Sequence, residues 1–207
     1  MYAQLNTKTV FSFMDATVKL TDYITAAKTL GYQTLGISDV DNLHAAHQFI
    51  TQAKAAGIQP VIGYETTLLL DGLAINFTFI AKTNAGLQNL YSISSKKNFG
   101  YNNFSDIHSH LCDVALILPA DSAVDSILTH LPQNDVFVGL AQPMAQGFLR
   151  PTIPFLSVRY LNAGDAETLA ILHHVKNGTK YDDSLTSNHF ESLRLESEVR
   201  ALFDQQS

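Results

Sequence analysis

Thr34-Leu35-Gly36-Ile37-Ser38-Asp39-Val40-Asp41-Asn42-Leu43 is the stretch on which the reading of the fold turns. Its first five residues form a short, mostly apolar run, the pattern of a buried strand. The polar turn Asp39 to Asn42 follows. A helix then carries Leu43, Ala46, Phe49, Ile50 and Ala53 on one face, ends at Gly57, and gives way to the strand Pro60-Val61-Ile62-Gly63. Strand, polar turn, helix and glycine in that order make the unit of a parallel βα fold.

The same rhythm extends outward in both directions. Upstream, Ala3 to Thr7 reads as a strand, and Thr21 is placed to cap a helix through Tyr23, Ile24, Ala27 and Leu30 that stops at Gly31. Downstream, Thr66 to Leu70 and Ile75 to Ala81 read as strands joined through Asp71-Gly72, a strong hairpin signal. A helix is expected from about Asn84 to Lys97, then a polar, aromatic loop from Asn98 to His110 with room for a short helix. Val114 to Leu118, Val136 to Leu140 and Ile153 to Val158 are three more strands, the first two separated by a helix near Ala123 to Leu131. Helices over about Asp165 to Val175 and Leu195 to Phe203 end the chain.

With 207 residues, 46% of them hydrophobic, the chain can bury one sizeable core. A net charge of -6 and a pI near 5.7 mean that the surface repels phosphate on average, so any contact with DNA has to be local or borrowed. The single cysteine, Cys112, excludes an internal disulfide and reads as a buried, inert thiol. No signal-peptide pattern and no apolar stretch of about 20 residues is present, so a cytoplasmic protein without membrane contact is expected.

In parallel α/β folds, ligands gather at the carboxyl ends of strands. There the sequence offers Asp15, Asp39, Asp41 and Glu65 but no histidine, too few ligands for a multinuclear hydrolytic site. The same positions carry a family resemblance. Gln4 to Asp15 (QLNTKTVFSFMD) resembles the opening motif of the PHP (polymerase and histidinol phosphatase) domain of bacterial DNA polymerase III alpha subunits, in which a strand ends in His-x-His-Ser. Gly36 to Leu43 is similar to the second motif, with its Thr-Asp-His. Gly57 to Glu65 (GIQPVIGYE) resembles Gly-Ile-Lys-Pro-Ile-Ile-Gly-x-Glu, and Ala81 to Leu90 with Ile93-Ser94-Ser95 looks like a polymerase-specific stretch. Pro151 to Leu161 aligns on a strand ending in Asp-Val-His-Tyr, Asp165-Ala166-Glu167 continues the match, and Asn188-His189-Phe190 through Phe203 resembles the connection onward to the polymerase core.

The resemblance implies a PHP-type distorted (β/α)7 barrel, TIM-like in shape, as a single domain over residues 1–207. It also implies a Gram-positive-like version with a degenerate metal site. Asn6 and Lys8 stand at the two histidines of the first motif, Val40 at the histidine of the second, and Ser157 and Arg159 at the closing Asp and His. Only Asp15 and Glu65 keep side chains suited to a divalent ion. Two further ligand positions fall between Lys96 and Arg150, where the resemblance is weak. Lys8 and Arg159 are expected to pair with Asp15 and Glu65 in place of metals, in preference to gripping a phosphate or a DNA end.

Implied, too, is a non-catalytic structural and interaction module at the N-terminus of a replicative polymerase, a nucleotidyltransferase whose catalytic carboxylates lie downstream of Ser207. The chain is then a fragment of a longer subunit, its ending within a family-like connection fitting a cut. No cofactor is implied in this segment; the parent polymerase would use magnesium. The implied partners are the polymerase core of the same chain and a proofreading exonuclease or other replisome proteins, with DNA reached only through the parent enzyme. The competing reading is a metal-dependent phosphoesterase or 3′ to 5′ exonuclease with a ligand set rebuilt from Asp15, Glu65, His108 and His110. His44 and His47 read as a helix-start pair, His173-His174 as an ordinary helical pair, and Lys96-Lys97 as a helix end.

Overall fold

Alternation along each strand sorts the side chains into two sets, and the fold follows from where each set goes. The computed structural model describes residues 2–120, 124–144, 147–179 and 191–204. Its elements are α1 (Leu20–Thr29), β1 (Thr34–Val40), α2 (Ala46–Ala55), β2 (Gln59–Leu70), β3 (Leu73–Ala81), α3 (Asn84–Asn98), α4 (Phe104–Ile107), β4 (Val114–Pro119), α5 (Val124–Leu128), β5 (Val136–Leu140), β6 (Thr152–Pro154), α6 (Ala163–Asn177) and α7 (Glu196–Asp204). A 3-10 turn over His108–His110 follows α4.

The six strands form one sheet in the order β1-β2-β3-β4-β5-β6. The pairs β1/β2, β4/β5 and β5/β6 are parallel, whereas β3 runs antiparallel to both of its neighbours. The N-terminal segment closes the sheet into a ring. On one side Gly36 N donates to Gln4 O and Ser38 N to Thr7 O; on the other Lys8 N donates to Val158 O and Val158 N to Asn6 O, at 2.7–2.9 Å. The result is the distorted α/β barrel expected from the sequence.

Outside the ring, Leu35, Ile37, Ile62, Phe77, Phe79, Leu116 and Val138 pack against Tyr23, Ala27, Phe49, Leu90 and Ile93 of the helices in the main core. Inside it, Ile80, Ile117 and Phe155 form a small apolar plug with Val61, Ala115 and Phe137 around them. Glycine leaves room for the plug: a Cβ on Gly63 would lie 2.7 Å from Cδ1 of Ile80, its partner on β3. Tyr23 fastens helix to ring, because its buried hydroxyl sits 2.6 Å from Thr7 Oγ1 and donates to Gly36 O at 3.0 Å. Burial raises its pKa well above the ordinary tyrosine value.

Several local expectations need correction. Ala3 to Thr7 is an extended segment joined by single bridges, Gln4 to Leu35 and Thr7 to Val158, since its two ends pair with different neighbours. Strand β2 runs unbroken from Gln59 to Leu70, the alternation carrying on through Gly63 to Glu65. Thr21 lies inside α1, whose N-cap is Lys19 without a side-chain bond. The strand read over Ile153 to Val158 divides, with β6 pairing to β5 and Val158 turning to Thr7. Cys112 is exposed, because it stands in the turn before β4 next to Asp113, whose φ is 58°. The hairpin at Asp71-Gly72 is present, with both residues at positive φ. Ala123 and Asn188 to Phe190 lie outside the described residues.

Gly86, the third residue of α3, presses its backbone against the turn before β4: a Cβ there would come 2.1 Å from Asp113 O. In an open helix a Gly to Ala exchange gains about 1 kcal/mol. Here Gly86→Ala is expected to lose about 1–3 kcal/mol through overpacking, seen as a lower urea midpoint.

Candidate functional site

At the carboxyl ends of β1 and β2 the inward positions become polar. Ser38 follows Gly36 on the inner face of β1, Glu65 follows Gly63 on β2, and Thr78 stands opposite Glu65 on β3. The N-terminal segment delivers Asn6 and Lys8 to this level as it closes the ring. Lys8 is fully buried, and its ammonium meets Glu65 Oε2 at 2.6 Å, Asn6 Oδ1 at 2.7 Å and Ser38 Oγ at 3.1 Å. An ammonium has three N–H donors, and three oxygens receive them. Burial pulls its pKa below the ordinary lysine value, while Glu65 pulls the other way. Glu65 also accepts from Asn76 Nδ2 at 3.2 Å and Thr78 Oγ1 at 3.4 Å.

A second cluster lies beside the first. Arg159 Nη1 pairs with Asp15 Oδ2 and donates to Asp15 O at 3.1 Å, while its Nε stands 3.2 Å from Glu191 Oε1. His173 Nε2 lies 3.2 Å from Asp15 Oδ1, within ion-pair range but outside hydrogen-bond alignment, and Lys176 Nζ lies 3.8 Å from the same oxygen. Ser157 Oγ is buried without a hydrogen-bond partner among the described residues. Val40 ends β1 opposite Glu65, its amide donating to Ser12 Oγ.

Of the residues singled out in the sequence, the structure joins Asn6, Lys8 and Glu65 in one cluster and Asp15 and Arg159 in the other. The remaining strand-end carboxylates are otherwise engaged. Asp39 is buried and accepts from Thr9 N, Thr9 Oγ1 and Ser12 Oγ at 2.6–2.7 Å, so it shapes the loop between Lys8 and Asp15. Asp41 accepts from Thr66 Oγ1. His44 is exposed, edge-on to Phe11. His108 and His110 sit on the 3-10 turn packed against α3 and α4.

Reading the sequence alone missed Ser38, His173, Lys176 and Glu191. Ser38 was available from its two-residue alternation with Gly36. His173 and Lys176 are three apart, which puts them on one helical face, but nothing local said that this face meets Asp15. Glu191 had no signal.

This donor set does not fit a divalent ion. A protein cation is already bonded to the Glu65 carboxylate, and another to Asp15. Among the described residues no group of three or more His, Cys, Asp or Glu side chains is placed to hold a metal. The set Asp15, Glu65, His108 and His110 is therefore not assembled.

The PHP domain family model matches residues 4–119. DNA polymerase III subunit alpha of Streptococcus pyogenes serotype M3 is 36% identical over 180 residues, covering 86% of this chain and 17% of that protein. The namesake of Staphylococcus epidermidis is 31% identical over 209 residues, covering 93% of this chain and 19% of that protein. The chain thus spans less than a fifth of these relatives. Among solved structures, a two-domain protein from Bacteroides vulgatus containing a predicted PHP-like metal-dependent phosphoesterase matches with a TM-score of 0.49 at 11% identity, covering 99% of this chain and 62% of that one. No helix among the described residues is long and apolar enough to cross a membrane.

Breaking a buried ion pair by removing one partner typically costs about 3–5 kcal/mol, whereas an apolar replacement of the whole pair is often close to neutral. Glu65→Gln and Lys8→Met are each expected to lower unfolding stability toward that range. Lys8→Met with Glu65→Leu should recover most of the loss. A double-mutant cycle from urea unfolding measures the coupling, and additivity of the two single effects would contradict it.

Proposed function

This chain belongs to the PHP domain family, and we propose that it is the N-terminal PHP module of a DNA polymerase III alpha subunit, a non-catalytic structural and interaction module with a degenerate metal site. The observation that carries this reading is the Lys8 ammonium, buried and bonded to Glu65, Asn6 and Ser38. Lys8 and Asn6 stand where the family resemblance puts histidine ligands, and Arg159, paired with Asp15, stands at a third. Two fixed side-chain cations then supply the positive charge that metals supply elsewhere in the family, and they do so without an open position for a water nucleophile.

The similarity to two polymerase alpha subunits supports the wider setting. On this reading residues 1–207 are one domain of a longer cytoplasmic chain that acts in DNA replication. Nucleotidyl transfer and its magnesium ions belong to the polymerase core. That core is the first partner of the module, and a proofreading exonuclease or another replisome protein is the second.

The test is metal analysis. Tag-free chain equilibrated with zinc or manganese and then freed of excess ion is expected to retain far less than one ion per chain and to leave a 3′-labelled single strand uncleaved. Stoichiometric metal that disappears in Glu65→Gln, with cleavage lost alongside it, would overturn the non-catalytic reading in favour of a phosphoesterase or exonuclease.

A further inference from the structure

Alone among the asparagines of the chain, Asn177 precedes a glycine. Asparagine is a thermolabile side chain. The nucleophile nearest its carboxamide is the backbone nitrogen of the next residue, and a glycine there has no Cβ to obstruct it. Asn177 is the last residue of α6, and Gly178 caps the helix in the left-handed region, with φ 64° and ψ 25°. Helix α6 is anchored by its first half, where Ala166 and Leu169 cluster with Tyr160. Its end is different: the residues from Val175 to Thr179 are exposed without a break. A helix end that buries no side chain opens at little cost.

A few hydrogen bonds hold that end closed. Gly178 N donates to the carbonyls of His174 and Val175, the second at 3.3 Å. Thr179 N donates to His174 O at 3.0 Å, and Thr179 Oγ1 lies 2.7 Å from His174 Nδ1. While this clasp is shut, the Gly178 nitrogen is spent as a donor and Asn177 is held in the helix. Opening the last turn frees both at once.

We propose that Asn177-Gly178 is a spontaneous deamidation site whose rate is governed by the clasp between His174 and Thr179. The Gly178 nitrogen attacks Asn177 Cγ and a new C–N bond forms. The bond from Cγ to Nδ2 breaks, and that nitrogen leaves as ammonia, with the proton given up by Gly178. Water then adds to one of the two carbonyls of the resulting succinimide: opening one way gives aspartate, the other way isoaspartate. No electrons change hands, and water is the one co-reactant. Either product adds a carboxylate to a chain of net charge -6, and does so at a helix C-terminus, where the macrodipole disfavours an anion. The isoaspartyl form also lengthens the main chain by one methylene. That methylene enters between α6, which carries His173 and Lys176 to Asp15, and Glu191, which meets Arg159. Modification therefore loosens the outer ion-pair network from its α6 side. The reaction itself uses none of the metal-site positions, so the metal analysis above can fail without touching it.

Peptide mapping by mass spectrometry, on the 207-residue chain aged at mildly alkaline pH, tests the site. The fragment holding Asn177 is expected to gain about 1 Da, with oxygen taken up from isotopically labelled water, while the fragment holding Asn76, which precedes Phe77, keeps its mass. A free peptide with the sequence from His174 to Thr179 should convert faster, because nothing closes it. Thr179→Val keeps the shape of the side chain and removes the hydroxyl from the clasp. It should speed the reaction of the folded chain roughly two- to tenfold, the factor that one lost hydrogen bond supplies, and leave the free peptide unchanged. Asn177→Gln, whose ring closure is slower, should abolish the gain. All these side chains are exposed or half-buried, and an unchanged melting temperature verifies the fold of each variant. The proposal is overturned if Asn177 keeps its mass over many lifetimes of the free peptide, if Asn76 reacts as fast as Asn177, or if Thr179→Val leaves the rate of the folded chain unchanged.

Discussion

The Lys8 ammonium sits where the N-terminal segment, β1 and β2 come together, and each contributes one oxygen to it: Asn6, Ser38 and Glu65. A charge taken out of water costs several kcal/mol unless it is paired and fully hydrogen-bonded. Lys8 reaches Ser38 and Glu65 only where the N-terminal segment bridges β1 and Val158 and so closes the ring. Satisfying one buried cation and completing the barrel are therefore the same event. The apolar plug strengthens this coupling. With Ile80, Ile117 and Phe155 filling the space below, a displaced ammonium meets only apolar side chains on that side.

The second cluster follows a different logic. Asp15 and Arg159 are partly exposed, and Asp15 gathers Arg159, His173 and Lys176 around it while Arg159 reaches on to Glu191. This network ties the loop after the N-terminal segment to the end of the barrel wall, to α6 and to the segment before α7. Water screens such pairs, so their contribution is geometric: they hold peripheral elements in register over the inner cluster. Asp39, spent on Thr9 and Ser12, fixes the loop that joins the two clusters. Together these contacts convert a strand-end region, where βα folds place ligands, into a set of internal ion pairs.

Much of the barrel was legible in the sequence because it is encoded locally. Apolar runs of strand length, amphipathic faces at Tyr23 to Leu30 and Leu43 to Ala53, left-handed glycines at Gly31 and Gly57, and the Asp71-Gly72 turn all act within a few residues of themselves. The misreadings share a cause. Ala3 to Thr7, Ile153 to Val158 and the joined strand from Gln59 to Leu70 depend on which distant segment each backbone pairs with, and Cys112 depends on how a turn is presented.

For the site the division is sharper. Sequence by itself determined that cationic and neutral residues, Asn6, Lys8, Val40, Ser157 and Arg159, occupy strand-end positions beside Asp15, Asp39, Asp41 and Glu65, because residue identity and strand periodicity are properties of the chain; the family resemblance singled out Asp15 and Glu65 among the four. Tertiary structure alone decided that Lys8 answers to Glu65 and Arg159 to Asp15. It alone brought Ser38, His173, Lys176 and Glu191 to them. The physical reason is range. Periodicity says which way a side chain points, whereas the partner of a buried charge is whichever group ring closure carries to within about 3 Å of it, here across 57 residues of chain for one pair and 144 for the other.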